Sequence, residues 1–209
     1  GYHLLNMTVH ITAALALFGV VRQTLIRQVP GYSAALTAFT IALIWLVHPL
    51  NTQAVTYIVQ RSESMMGMFY LLVMYCAIRL IDRPNHPGWL AAAFVCCLLG
   101  MLSKEVMITA PVMVMVYDWV FLRRPAQRIL AERGRLYLML MATWVVYPVL
   151  GMELFVEGKA AGFGYETLAW WQYALTQPLV ILKYLRLAVW PHPLIFDYSH
   201  YAQHTRFEV

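Results

Sequence analysis

Residues 88–122 read GWLAAAFVCCLLGMLSKEVMITAPVMVMVYDWVFL. Two apolar runs, 88–102 and 106–122, are separated only by Ser103-Lys104-Glu105. Each run is a little under the roughly 20 residues that carry an α-helix across a bilayer. Neither run alternates polar and apolar residues, which excludes barrel strands. The stretch therefore predicts two helices joined by almost no loop, with Lys104 and Glu105 held at a membrane edge. Working outward, five further runs of the same kind occupy 4–21, 32–48, 65–81, 136–152 and 173–190. Flanking Tyr, Trp, His and Arg can extend all of them into the interface. The expected fold class is all-α, a polytopic helical membrane protein of about seven apolar segments. No repeat or low-complexity linker divides it, so 1–209 reads as one membrane domain.

Composition agrees. Of the 209 residues, 61% are apolar and 12% charged, where a soluble domain carries about a quarter charged. An ordinary soluble domain, a disordered tail and a disulfide scaffold are excluded. Cys76, Cys96 and Cys97 lie inside apolar runs with no C-x-x-C spacing, which suits packing rather than a metal site. The net charge of +5 does not indicate nucleic acid, because the basic residues sit in short gaps and form no stripe. The chain begins at Gly1 without a basic leader, so it reads as an internal piece of a longer protein.

The gaps between runs fall into two sets. One holds nine arginines, at 22, 27, 79, 83, 123, 124, 128, 133 and 135; the other holds Arg61, Lys104 and Lys159 with Glu63, Glu105, Glu153, Glu157 and Glu166. The positive-inside rule puts the first set in the cytoplasm. Residue 1 and the gaps at 48–64, 103–105 and 153–172 are then outside, with an odd number of spans expected before residue 1. The run at 173–190 carries Lys183 and Arg186 in its middle, a costly arrangement against lipid. It either lines a cavity or lies along the outer interface.

The unusual polar residues gather on the outer side. His3, Asn6 and His10 share one helix face, suited to packing hydrogen bonds or, less simply, to a metal. His48-Pro49-Leu50-Asn51-Thr52-Gln53 ends a span, and residues 54–59 form an apolar stripe suited to a surface helix. Arg61 is either a snorkelling arginine or a ligand cation, and His48 either a cap or a contact residue. Lys104 and Glu105 either pair to close their turn or face a charged substrate. Asp118, near the inner end of its run, is expected to pair with an inner arginine.

Segments His48–Val55 and Val59–Ser64 together resemble an outer-loop signature of the transmembrane and tetratricopeptide-repeat-containing O-mannosyltransferases and their bacterial relatives. Ser103-Lys104-Glu105 with Tyr117-Asp118 is similar to a second signature. Thr176-Gln177, Tyr184–Leu187, Pro191 and Phe196-Asp197-Tyr198 are similar to a third, and Gly1–Asn6 fits the start of the family's second span. The resemblance implies a partial GT-C-type bundle, whose first outer loop with its catalytic acid would precede Gly1 and whose repeat domain would follow Val209. It implies transfer of a sugar from a polyprenyl-phosphate donor to a protein hydroxyl outside the cytoplasm. For a bacterial relative this is an inner-membrane enzyme with its active side facing the periplasm.

In that chemistry the lipid phosphate is a stable leaving group, so cations matter more than an acid. Lys104, Arg61 and Arg186 are the donor-phosphate candidates, with Lys183 weaker. Glu105 is the best carboxylate within the chain for the acceptor hydroxyl, or else it orients the acceptor for the upstream acid. His48, Gln53, Gln177 and Tyr184 are candidate sugar or acceptor contacts; position 53 is Gln where the family pattern suggests Glu. No metal is required. The competing expectation is a polytopic transporter or flippase for a lipid-linked or anionic substrate. Pro111, Pro148 and Pro178 could break helices as transporters do, but a transporter should concentrate polar groups at the bilayer midplane. An inactive membrane anchor is the third possibility.

Overall fold

The computed structural model describes residues 2–29, 33–52, 56, 60–146, 170–192 and 194. Among these the regular elements are all helical. They are α1 (Tyr2–Gln28), α2 (Ala34–Val47), α3 (Arg61–Asp82), α4 (Pro87–Ser103), α5 (Ala110–Leu122), α6 (Ala126–Ala142) and α7 (Trp170–Val189). Short 3₁₀ turns occupy Pro49–Asn51, Glu105–Thr109 and Thr143–Val145. Residues 1–152 form one compact unit and 153–209 a second. The described part of the second unit is mainly α7, which contains Pro178.

In the first unit α3 is central. It packs against α1 on one side and α4 on the other; α2 rides on α1, and α6 contacts α4 and α5. The buried core runs through Val73, Ile78 and Leu80 of α3, Cys97 and Met101 of α4, Val114 of α5, and Leu136 and Leu140 of α6. The buried residues of α2, which packs on α1, are all small: Ala34, Ala38 and Ala42. Small residues at such spacing let helix backbones approach closely. Cys76 and Cys97 are buried free thiols, and the Cys97 thiol lies 3.3 Å from the Thr143 hydroxyl.

The α1–α3 contact is tightest at Gly19, where an added Cβ would meet the Tyr75 ring at 2.7 Å. A ring edge cannot yield as a flexible chain end does. Gly19→Val is expected to destabilise the unit by about 1–3 kcal/mol through overpacking, read as a lower thermal unfolding midpoint in detergent. Gly100 receives Met107 in the same way, with the sulfur 2.7 Å from where a Cβ would sit. Seating Met107 there needs a sharp reversal after α4. Lys104 is extended (φ −163°, ψ 146°), its N–H bonds Gly100 O at 3.0 Å, and a 3₁₀ turn follows. Pro111 then stands in the first turn of α5, where its missing N–H costs no helix bond.

Several boundaries differ from the sequence expectation: α1 runs to Gln28, seven residues past its apolar run, and α3 starts at Arg61, four before its own. The sixth helix begins at Ala126, ten residues before the apolar run at 136. Its early turns are amphipathic: Ile129 and Arg133 are buried while Arg128 and Glu132 face out. Arg124 and Arg128 both pair with Glu132, at 2.5 and 3.0 Å. The Arg128 hydrogen bond, with the charge of Arg124, holds the Glu132 carboxyl below the ordinary glutamate range. The small stability this gives is present above the unfolded pKa and is lost as pH falls through the lowered folded value. The helix α2 has 14 residues, about 21 Å of rise, short of a hydrocarbon core of about 30 Å.

Three helical stretches are long and apolar enough to cross a membrane: His3–Gln28, Arg61–Asp82 and Glu105–Leu122. Ala34–Val47 and Pro87–Ser103 are shorter apolar helices. Large apolar side chains cover the outside of the bundle, with Leu4, Leu15, Leu36, Ile44, Trp119 and Leu138 all exposed. That much exposed apolar surface is foreign to a water-soluble monomer.

Candidate functional site

The polar contacts sort by end of the bundle. At one end α1, α3, α5 and α6 are tied together by charge. Arg27 pairs with Asp82 at 2.6 Å, the Thr24 and Tyr117 hydroxyls meet at 2.7 Å, and the Gln28 amide donates to Phe121 O at 3.1 Å. Asp118 is fully buried there; Arg133 donates to it at 2.5 Å and the Tyr137 hydroxyl donates to its other oxygen. Arg133 also donates to the Ala77 carbonyl at 2.5 Å. The expected pairing of Asp118 with an inner arginine is present, and its partner is Arg133.

The opposite end holds most of the candidate site residues of the first unit. Asn6 and His10, a turn apart on α1, are both buried, whereas His3 is exposed. Asn6 accepts a hydrogen bond from Arg61 Nε at 3.2 Å. The His10 ring donates to Leu46 O at 2.9 Å and lies against Trp45 with centroids 4.9 Å apart. His48 ends α2 and starts the next 3₁₀ turn; its Nδ1 accepts from the Leu50 N–H at 3.2 Å. That contact is a cap's. Asn51 donates to Trp45 O at 2.6 Å. Between these groups lies a cleft of about 390 Å³, with Met7, Ile11 and Val47 as apolar wall and His10, His48 and Asn51 as polar wall.

Lys104 forms an ion pair with Glu63, not with its neighbour Glu105. Consecutive residues in a turn point apart, and the extended Lys104 backbone sends its side chain toward the first turn of α3. Arg61 opens that turn and Glu63 follows two residues on, so Arg61, Glu63, Lys104 and Glu105 are gathered at one end of the unit. Glu105 is half-buried and has no hydrogen-bond or ion-pair partner among the described residues. The ammonium of Lys104 has three protons, leaving it able to serve Glu63 and a further oxygen together. Glu63 lies within the signature Gln60–Ser64, but nothing in that local pattern marks it as the partner of Lys104. Nearby, the Tyr70 and Thr109 hydroxyls meet at 3.1 Å.

Arg186, Tyr184, Gln177 and Lys183 all lie on α7 in the second unit, Arg186 and Tyr184 exposed. Gln177 and Tyr184 are seven residues apart and share a helix face. Gln53, all but Thr56 of the surface helix expected over 54–59, Pro148, the outer gap at 153–169 and Phe196-Asp197-Tyr198 lie outside the described residues. Among the described residues no three His, Cys, Asp or Glu side chains cluster to hold a metal ion.

No protein-family model matches the chain, and no solved structure matches it. Curated sequences do. The protein O-mannosyl-transferase TMTC2 of Homo sapiens is 30% identical over 216 residues, covering 95% of this chain and 25% of that protein. The protein O-mannosyl-transferase Tmtc2 of Drosophila melanogaster is 26% identical over 212 residues, covering 95% and 21%. The Drosophila melanogaster Tmtc1 is 34% identical over 110 residues, covering 53% of this chain and 12% of that protein. The chain thus spans about a quarter or less of the length of these relatives. It is related, along nearly its whole length, to the TMTC protein O-mannosyl-transferases.

Proposed function

We propose that the chain is part of a polytopic membrane glycosyltransferase that passes a sugar from a polyprenyl-phosphate donor to a protein hydroxyl at the extracytoplasmic face. The observation that carries this reading is the cluster of Arg61, Glu63, Lys104 and Glu105 at the arginine-poor end of the bundle, within a chain related to O-mannosyl-transferases. The relatives' name supports mannose as the sugar and a protein as the acceptor. The opposite end holds the arginines, and a positive-inside orientation then turns the cluster outward.

The residues suit the chemistry. The acceptor oxygen attacks the sugar C1, the C1–O bond to phosphate breaks, and the lipid phosphate leaves as an anion. Lys104 and Arg61 stabilise the charge that develops on the phosphate; Arg186 of α7 is the third candidate by resemblance. The Glu105 carboxylate, with no partner among the described residues, takes the acceptor proton or orients that hydroxyl for the acidic residue expected upstream. His48 and Asn51 flank the cleft where sugar hydroxyls find partners; Gln53, Gln177 and Tyr184 are further candidates. Concentration of polar groups at an end, rather than at mid-helix, supports transfer over transport.

The test is the full-length protein in liposomes with polyprenyl-phosphate mannose and a Ser/Thr peptide. Mannosylated peptide is expected, with turnover lowered about 10- to 100-fold by Lys104→Ala through loss of a charge-assisted phosphate contact. Donor movement across the bilayer without peptide modification would favour the flippase reading instead.

A further inference from the structure

At the arginine-rich end, α4 and α6 leave a groove of about 370 Å³ between them. Its walls are Pro87, Leu90 and Ala91 from α4 and Arg135, Leu138 and Met139 from α6. Pro87 is the first residue of α4, and Leu90 and Ala91 follow one turn on. On α6, Arg135 precedes Leu138 and Met139 by the same turn. Both helices start from this end, so the groove passes from a cation at its mouth to apolar walls one turn deeper.

Arg135 is the arginine that lines the groove, and it is one of four at this end, with Arg22, Arg83 and Arg123, that have no hydrogen-bond or ion-pair partner among the described residues. Arg27, Arg124, Arg128 and Arg133 are each paired with a carboxylate, and Arg79 lies over the Trp89 ring at 5.3 Å. Arg135 is exposed. Among the described residues the nine arginines of this end are accompanied by three carboxylates, Asp82, Asp118 and Glu132, so the surroundings favour an anion. A free phosphate would use the cation but leave the apolar walls in water. A zwitterionic lipid would use the walls but bring its own cation to an arginine-rich surface.

The geometry points to a site for an anionic phospholipid, with an acyl chain along Leu90, Ala91, Leu138 and Met139 and the phosphodiester oxygens accepting hydrogen bonds from Arg135. Basic pockets between helices at the cytoplasmic side hold lipid head groups in this way. The site rests on the membrane reading proposed above but not on sugar transfer. It is distinct from the cluster around Lys104, which lies at the other end of the bundle.

The test purifies the full-length protein in non-ionic detergent and counts retained lipid by native mass spectrometry after exchange with phosphatidylglycerol or phosphatidylcholine. The wild type is expected to retain phosphatidylglycerol about fivefold better, the effect of one cation near a membrane surface. Arg135→Gln abolishes the preference. Arg128→Gln, at the same end but paired with Glu132, leaves it intact. Ala91→Trp keeps every charge, fills the groove and releases the bound lipid, and excess inorganic phosphate does not displace it. Equal retention of the two lipids by the wild type, equal effects of Arg135→Gln and Arg128→Gln, or displacement by phosphate alone would overturn the site. Failure to retain either lipid would overturn the membrane reading with it.

Discussion

Replacing Asp118 with Ala is expected to destabilise the first unit by about 3–5 kcal/mol, because it strands a buried guanidinium without its counter-charge. Arg133 is 3% exposed and Asp118 fully buried. The loss is compounded at Tyr137, whose hydroxyl donates to Asp118. The pair joins α5 to α6, and through the Ala77 carbonyl it also reaches α3. The unfolding midpoint in detergent should fall steeply for Asp118→Ala and for Arg133→Ala. The double replacement Asp118→Leu with Arg133→Met should fall much less, since two apolar side chains of similar volume leave no buried charge. A double-mutant cycle closed with the matching singles, Asp118→Leu and Arg133→Met, gives the coupling directly. A fall in the double variant as large as the sum of the singles would show that the ion pair itself contributes nothing.

Glu105→Gln is expected to lower sugar transfer by about 10²–10⁴-fold, the range for loss of a positioned general base. The substitution preserves size and leaves the fold alone, because Glu105 makes no hydrogen bond or ion pair among the described residues. Thermal unfolding should therefore be unchanged while kcat falls. If the carboxylate takes the acceptor proton, the acidic limb of the kcat pH profile disappears with it. Unchanged kcat in a folded Glu105→Gln protein would remove Glu105 from the site. By contrast Glu63→Gln should act through Lys104, raising KM for the donor more than it lowers kcat, because it alters the ammonium's partner rather than the reacting atoms.

The helices were largely legible in the sequence, since each apolar run contains helix among the described residues. The largest difference in extent is at the start of α6, and its cause is specific. Ile129, Arg133, Leu136, Tyr137 and Leu140 are buried at helical spacing, but charged residues between them interrupt the apolar run. Periodicity rather than run length is the signal that finds such a start. Asp118 announced a partner by being a carboxylate in an apolar helix. Which of five arginines over 123–135 would meet it was not legible, because helix register against α5 decides that.

The candidate site was legible in residue type but not in pairing. Lys104 beside Glu105 suggests a local ion pair, yet the chain reversal that seats Met107 against Gly100 aims Lys104 at Glu63 on α3. That contact joins residues 41 positions apart, a separation no local pattern encodes. The histidines show the same limit. His10, which with His3 could hold a metal, and His48, a candidate sugar contact, each have a backbone contact that the sequence does not foretell, Leu46 O and Leu50 N–H. Capping and packing roles depend on where a neighbouring helix ends.

The central claim is that the end of the bundle bearing Lys104 and Glu105 faces the extracytoplasmic space and performs the transfer there. Sealed vesicles of known, opposite orientations test it, using full-length protein with Ser103→Cys and the native cysteines replaced. Polyprenyl-phosphate mannose is placed in the membrane, and peptide and a membrane-impermeant thiol reagent are supplied only outside. The account predicts that peptide is mannosylated in those vesicles where position 103 is labelled, and in no others. Mannosylation in vesicles whose position 103 is shielded from the reagent would contradict it.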